Sequence, residues 1–348
     1  MERIAFLWNG SGAPVYWRTI ILCLGALVFV LMLSALRLWQ GRPLRPVLAG
    51  VPVGLVLALA AGRIIHWYCC FENYESFRAA MTGLRGGCSM IGVIAGAIAA
   101  CLLMKPLGMT EDLPGLLDDA AAAGALGIAV GRLGEMFGGI DHGRIIFENE
   151  ALHRLPFSSP VPDAVSGAVE WRMATFCWQS LWAGALFLVL ILRLLLRPAW
   201  RRKGRDMKNG SSFLLFLMLY CLSEVLLDST RYDALFLRSN GFVSLEQFVC
   251  CAAAVAAAAA MSVKGIRAGG FRRWYPVCWA LFLGGFGLAG YMEYYVQRHG
   301  SAYVFSYSLM LAGLAAVFIG LWPICRGGLY PRREPSAGRE EDRTEMVR

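Results

Sequence analysis

The sequence predicts an all-α, multi-pass membrane protein, and three observations carry that prediction. Hydrophobic residues make up 57% of the 348-residue chain and charged residues only 16%, against about a quarter charged in soluble domains. The apolar residues are gathered into blocks of about 20, the length a helix needs to cross a hydrocarbon layer of roughly 30 Å. The basic residues cluster in short stretches between those blocks. The net charge of +9 therefore marks loops on one side of a bilayer, with no nucleic-acid surface implied.

Nine spans fit the pattern: about 17–37, 46–66, 88–105, 115–133, 175–197, 212–229, 243–263, 275–296 and 303–325. The first is long enough to be a retained helix, so it does not read as a cleaved signal peptide. The second carries Pro46 and Pro52 near its start, which neighbouring helices tolerate by satisfying the freed backbone groups. The fourth opens with Asp118 and Asp119, placing that end at the membrane interface. The seventh holds "CCAAAVAAAAAMS" (250–262), whose small residues suit close helix packing. The eighth contains "GFGLAG" (285–290), a GxGxxG match. With no strand before it, this is another packing face and no dinucleotide site. The polar tail 332–348 reads as disordered.

Arg37, Arg42 and Arg45, the cluster "RLLLRPAWRRKGRDMKN" (193–209) and "KGIRAGGFRR" (264–273) all fall on one side if the spans alternate. That side is cytoplasmic by the positive-inside rule. The N-terminus is then outside, the C-terminal tail inside, and 131–174 an extracytoplasmic segment between spans four and five. Of eleven cysteines, Cys23, Cys101, Cys221, Cys250, Cys251 and Cys278 lie in or beside apolar runs and read as small apolar residues. Their spacing matches no metal site. Cys69 and Cys70, adjacent in an external loop, are the candidate redox pair. His66, His153 and His299 show no partner spacing.

This orientation brings three polar patches to the outer boundary: "GRLGEMFGGIDHGR" (131–144), "FRAAMTGLRGGCSMIG" (77–92) and "SEVLLDSTRYD" (223–233). A single arginine at that depth snorkels to the headgroups. Three converging patches, one glycine-rich, point to a lipid-phosphate site, because glycine admits backbone N–H groups to an anion and arginine binds its oxygens bidentately. A transporter would place its polar groups in mid-span between internal repeats; the sequence shows no inverted repeat, few charged residues in mid-span, and polar clusters at one edge.

The 131–144 stretch resembles the signature of the prolipoprotein diacylglyceryl transferase family, approximately G-R-x-G-N-F-x-N-G-E-x-x-G-R. Gly131, Arg132, Gly134, Gly139, Gly143 and Arg144 fall in register. "GGCSMIGV" (86–93) resembles the family's G-G-M-S-x-H-G-G, "AGRIIHWY" (61–68) its G-x-R-x-x-Y, "DSTR" (228–231) its acid-x-x-Arg, and "VSLEQ" (243–247) its M-G-Q element. The resemblance covers roughly 15–265, a seven-span unit taken as 1–265; two further spans occupy 266–330, and 331–348 is the tail.

The resemblance implies an enzyme of the bacterial cytoplasmic membrane that moves the diacylglyceryl group of phosphatidylglycerol, or another anionic phospholipid, to the lipobox cysteine of a prolipoprotein signal peptide. It implies no cofactor and no metal. Arg132 and Arg231 would bind the phosphate and stabilise the leaving group. Gly134, Gly139, Gly143, Arg144 and Gln247 would line the headgroup site. The sequence departs from the pattern at Ile91, where the family has histidine, at Glu135 and Gly138 for asparagines, at Ile140 for glutamate, and at Glu224, a position usually basic. His142 is the candidate replacement base, with Glu135 or Asp141 assisting. The alternative is a non-catalytic or altered-substrate relative that binds phospholipid or a lipid-modified partner.

Overall fold

The computed structural model describes residues 4–7, 14–82, 87–138, 142–146, 150–162, 167–202, 209–232, 234–237, 240–299 and 303–329. Ten helices carry the fold: α1 (Trp17–Trp39), α2 (Arg45–Cys69), the short α3 (Phe77–Thr82), α4 (Met90–Leu103), α5 (Leu113–Arg132), α6 (Thr175–Arg202), α7 (Ser211–Ser229), α8 (Leu245–Gly269), α9 (Tyr275–His299) and α10 (Tyr303–Leu329). Three two-stranded antiparallel hairpins, which the all-α reading did not anticipate, sit between them. They are β1 (Ile4–Leu7) with β2 (Pro14–Tyr16), β3 (Ser158–Pro162) with β4 (Val169–Met173), and β5 (Phe236–Leu237) with β6 (Asn240–Ser244). The predicted tail and most of the basic cluster's centre, 203–208, lie outside the described residues.

Among the described residues, eight helices are long and apolar enough to cross a membrane. The expected third span is the exception. α4 has 14 residues, about 21 Å at 1.5 Å per residue. It lies two residues inside the expected bounds at each end, and the chain entering it is tied to the side of α2. The Ser89 N–H donates to the Gly62 carbonyl at 3.1 Å, and a Cβ on Gly92 would lie 2.6 Å from the Gly62 Cα. Two glycines thus let the backbones touch, and the helix begins only at Met90.

α7 is the central helix. One face (Met218, Cys221, Val225) packs into a core shared with α8, α9 and α10, around Met261, Phe282, Met310 and Leu321. The other face (Phe216, Tyr220) packs with α1, α5 and α6 around Ala122, Ala125, Leu186 and Leu190. The alanine run of α5 lets its neighbours approach closely; a Cβ on Gly25 of α1 would meet the Gly127 carbonyl at 2.7 Å and the Gly131 Cα at 2.9 Å. Polar side chains on α7 are consequently buried on either face.

At the end of the bundle where α5 begins, buried charges join four segments. Asp119 accepts from Gln40 Nε2 at 2.6 Å and faces Arg42 at 3.3 Å and Arg37 at 3.6 Å. Asp118 accepts from the Gly210 and Phe213 N–H groups, 2.8 and 2.9 Å, capping α7. Asp112 caps its own helix through the Gly115 N–H and binds Arg42 and Asn209. Asp118 and Asp119 thus serve as a cap and a counter-ion inside the protein, Asp119 fully enclosed.

Candidate active site

The opposite end of the bundle brings together the C-termini of α5 and α7 and the N-terminus of α8. Each end supplies the charge its helix dipole favours: Arg132 from the last turn of α5, Glu246 from the first turn of α8. Arg231 follows α7 by two residues. Its backbone N–H donates to the Asp228 carbonyl at 3.0 Å, and its Nη1 donates to Asp228 Oδ1 at 3.1 Å.

Glu246 joins the two arginines. Its Oε1 lies 3.7 Å from Arg132 Nη2, and its Oε2 accepts from Arg231 Nη1 at 3.2 Å. Glu224, on the buried side of α7, lies 3.9 Å from the same Arg132 nitrogen and accepts from Gln179 Nε2 of α6 at 2.8 Å. Asp228 accepts from Ser244 Oγ, tying α7 to the N-cap of α8. Arg132, Glu224, Asp228 and Glu246 are all buried, and the Arg231 side chain is 9% exposed. Among the described residues, these two guanidiniums face three carboxylates.

Beside this cluster runs the extended segment 142–146. The Gly143 N–H donates to the Met173 carbonyl at 2.7 Å, and the Met173 N–H donates to the Arg144 carbonyl at 2.9 Å, lengthening the β3–β4 hairpin by a strand-like edge. On its other side Gly143 bridges to Arg231, and the Tyr232 N–H donates to the His142 carbonyl at 3.2 Å. A Cβ on Gly143 would lie 2.8 Å from the Met173 Cβ and 2.9 Å from the Thr230 carbonyl. Glycine at 143 thus has a packing cause. His142 is buried with its ring 5.2 Å from that of Phe176. From the far side Tyr307 of α10 donates to the Ser229 carbonyl at 3.2 Å and hydrogen-bonds the Arg144 side chain.

A family model described as prolipoprotein diacylglyceryl transferase matches residues 5–263. The chain belongs to the prolipoprotein diacylglyceryl transferase family. Its similar relatives include three proteins named phosphatidylglycerol–prolipoprotein diacylglyceryl transferase. That of Bacillus licheniformis is 27% identical over 261 residues, covering 70% of this chain and 87% of the relative. That of Clostridium kluyveri is 25% identical over 251 residues, 72% and 92%, and that of Nostoc sp. is 26% identical over 243 residues, 67% and 83%. The family match ends within α8, so α9 and α10 lie beyond it.

Within this diacylglyceryl transferase framework the sequence-predicted residues separate into groups. Arg132, Arg231, His142, Gly143 and Arg144 share one end of the bundle. Glu135 sits near them but pairs with Arg18 of α1, Oε2 to Nε 2.7 Å. Gly134 also faces α1, where a Cβ would lie 3.0 Å from the Arg18 carbonyl. Gln247 completes the capping box of α8: its Oε1 accepts from the Ser244 N–H, its N–H donates to Ser244 Oγ, and its Nε2 donates to the Val225 carbonyl. Gly139, Ile140 and Asp141 lie outside the described residues. Ile91 is buried in the core against α7 and α8.

Sequence reasoning passed over Arg18 and Glu246. Glu246 stands inside the quoted "VSLEQ", one residue before the glutamine that was chosen, and an acid in a helix's first turn is the signal that marks it. His66 has a partner after all, Tyr74 Oη at 2.8 Å from Nδ1. His153 stacks on Trp171. Cys69 and Cys70 are free thiols, and burial pushes the Cys70 thiol above its ordinary value, which lowers the thiolate fraction that redox chemistry needs. Among the described residues no group of three or more His, Cys, Asp or Glu converges as metal ligands would.

Proposed function

We propose that this protein transfers the diacylglyceryl group of phosphatidylglycerol to the lipobox cysteine thiol of a prolipoprotein, at the outer face of a bacterial cytoplasmic membrane. The observation that carries the reading is the meeting of Arg132 and Arg231, from different helices, on one carboxylate within the family-matched segment. That arrangement offers two fixed cations separated by the width of one small anion. In the reaction the thiolate sulfur attacks the glyceryl carbon that carries the phosphate ester. A C–S bond forms, the C–O bond breaks, and its electron pair leaves on glycerol phosphate.

Charge grows on the leaving oxygen in the transition state, where preoriented guanidiniums stabilise it more than they stabilise the bound lipid. Arg132 and Arg231 hold the phosphate, with Arg144 and Gly143 beside them at the same end of the bundle, while Gly134 and Gln247 support the site through helix packing and the α8 cap. A free thiol, with a pKa of about 8.5, supplies little thiolate at neutral pH. His142 takes the thiol proton, and Glu135 fixes Arg18 of α1. The test is transfer by purified protein from phosphatidylglycerol to a lipobox peptide, read as a diacylglyceryl mass gain that is lost in Arg132→Ala. No gain from folded, lipid-binding protein would refute it.

A second reading, a relative that binds phospholipid without this transfer, is favoured by one observation: Glu224 and Glu246 already face the arginines. Lipid binding without a mass gain would select it.

A further inference from the structure

Three features stand outside the reading above: the carboxylate set on the two arginines, the apolar groove between α9 and α10, and the charged clasp at the far end of α5. The groove, lined by Val277, Gly284, Gly285, Leu288, Gly313 and Ala316, has nothing in the structure to say what covers it, and the clasp is occupied entirely by the protein's own groups. The carboxylates carry an inference.

Glu246 presents one oxygen to Arg132 and the other to Arg231, 3.7 and 3.2 Å. A phosphodiester offers the same single negative charge on two oxygens, and guanidiniums bind both anions through the same N–H geometry. Glu246 also stands on the first turn of α8, where the helix dipole favours an anion of either kind. Glu246 occupies the guanidinium nitrogens a phosphate would use. A lipid phosphate added beside its carboxylate would place two anions on the same pair of guanidiniums in a buried space, where like charges repel strongly.

We infer that Glu246 is an internal stand-in for the lipid phosphate. It neutralises Arg132 and Arg231 while the site is empty, and the donor's phosphodiester must displace it to bind. This rests on the assignment of the two arginines to the phosphate. It differs from a permanent counter-ion role in the sign of one result: removing a competitor tightens lipid binding, whereas removing a scaffold loosens it. Glu224 and Asp228 remain in place in either case, held by Gln179 and Ser244.

The experiment measures the Kd of dioctanoyl phosphatidylglycerol, and of dioctanoylglycerol as the phosphate-free control, for wild-type protein and Glu246→Gln. The expected result is a gain of about tenfold or more for phosphatidylglycerol, the scale of one charge-assisted contact regained, with no gain for dioctanoylglycerol. Unchanged or weaker phosphatidylglycerol binding overturns the inference, as does an equal gain for both lipids. Glu246→Asp, which withdraws the carboxylate by one methylene, gives the same comparison if Glu246→Gln does not fold. The transfer assay separates the two claims. A wild type that transfers nothing, beside a phosphate-specific gain in the variant, removes the enzymatic reading and leaves the stand-in. A wild type that transfers, with a variant that binds lipid less tightly, keeps the enzyme and removes the stand-in.

Discussion

Replacing Asp119 by alanine tests the energetics of the bundle at the end remote from the arginine cluster. The carboxylate is fully buried and faces three groups at 2.6, 3.3 and 3.6 Å. Arg42 is partly exposed and keeps Asp112 at 3.2 Å, so it loses little. Arg37 is 2% exposed and retains the Pro43 carbonyl at 3.2 Å. The cost therefore falls on Arg37, and breaking a buried pair by removing one member costs about 3–5 kcal/mol. At roughly 2–4 °C per kcal/mol, the apparent Tm in detergent falls by roughly 6 °C or more. Adding Arg37→Met to Asp119→Leu restores most of that loss, because an apolar pair of similar volume replaces a buried ion pair at small net cost. Transfer per folded molecule is unchanged, since Asp119 and Arg132 are thirteen residues apart on α5, about 20 Å. A wild-type Tm for Asp119→Ala, or a double variant no better than the single, would refute this account of the clasp.

Four further outcomes follow from the site. Arg132→Ala and Arg231→Ala each lower the transfer rate by about 10²–10³, read as initial rates of peptide mass gain. His142→Gln lowers kcat by about 10²–10⁴, the range of a lost general base, and does so far more than it weakens phosphatidylglycerol binding in a titration, because the phosphate is held by the arginines. Gly143→Ala forces a Cβ to within 2.8 Å of Met173 and costs about 1–3 kcal/mol as overpacking, measured as a loss of Tm accompanied by lost activity. Tyr307→Phe removes the hydroxyl that joins the Ser229 carbonyl and Arg144; the KM for phosphatidylglycerol rises with kcat unchanged, and Arg144→Ala abolishes the difference.

The helices were legible because membrane burial writes itself into sequence as long apolar blocks. α4 was read two residues too long at each end because hydropathy marks the apolar block and does not fix where helical hydrogen bonding begins or stops. The hairpins were missed for the same kind of reason. Strands of two to five residues, such as β5 and β3, have too few positions for alternation to show. At the site, Arg132 and Arg231 stood out through motif register, but their shared partner did not. Glu246 meets them only because α5, α7 and α8 end at one place, a fact of topology and not of local pattern. Gln247 illustrates the converse: its type invites a ligand role, while its spacing from Ser244 is that of a capping box. Glu135 was expected to assist His142, yet the turn at Leu133–Phe137 also directs it to Arg18.

The lead into α4 fixes where polar backbone sits along α2. Ser89 is fixed beside Gly62, two helical turns below the end of α2 at Cys69, or roughly 10 Å. Peptide groups outside helices are tolerated at membrane depth only where protein satisfies them. Here the Ser89 N–H is taken by the Gly62 carbonyl, the Ser89 carbonyl by the Val93 N–H and the Gly87 N–H by Tyr74 Oη, so the non-helical lead into α4 can lie along α2 with these groups already satisfied by the protein.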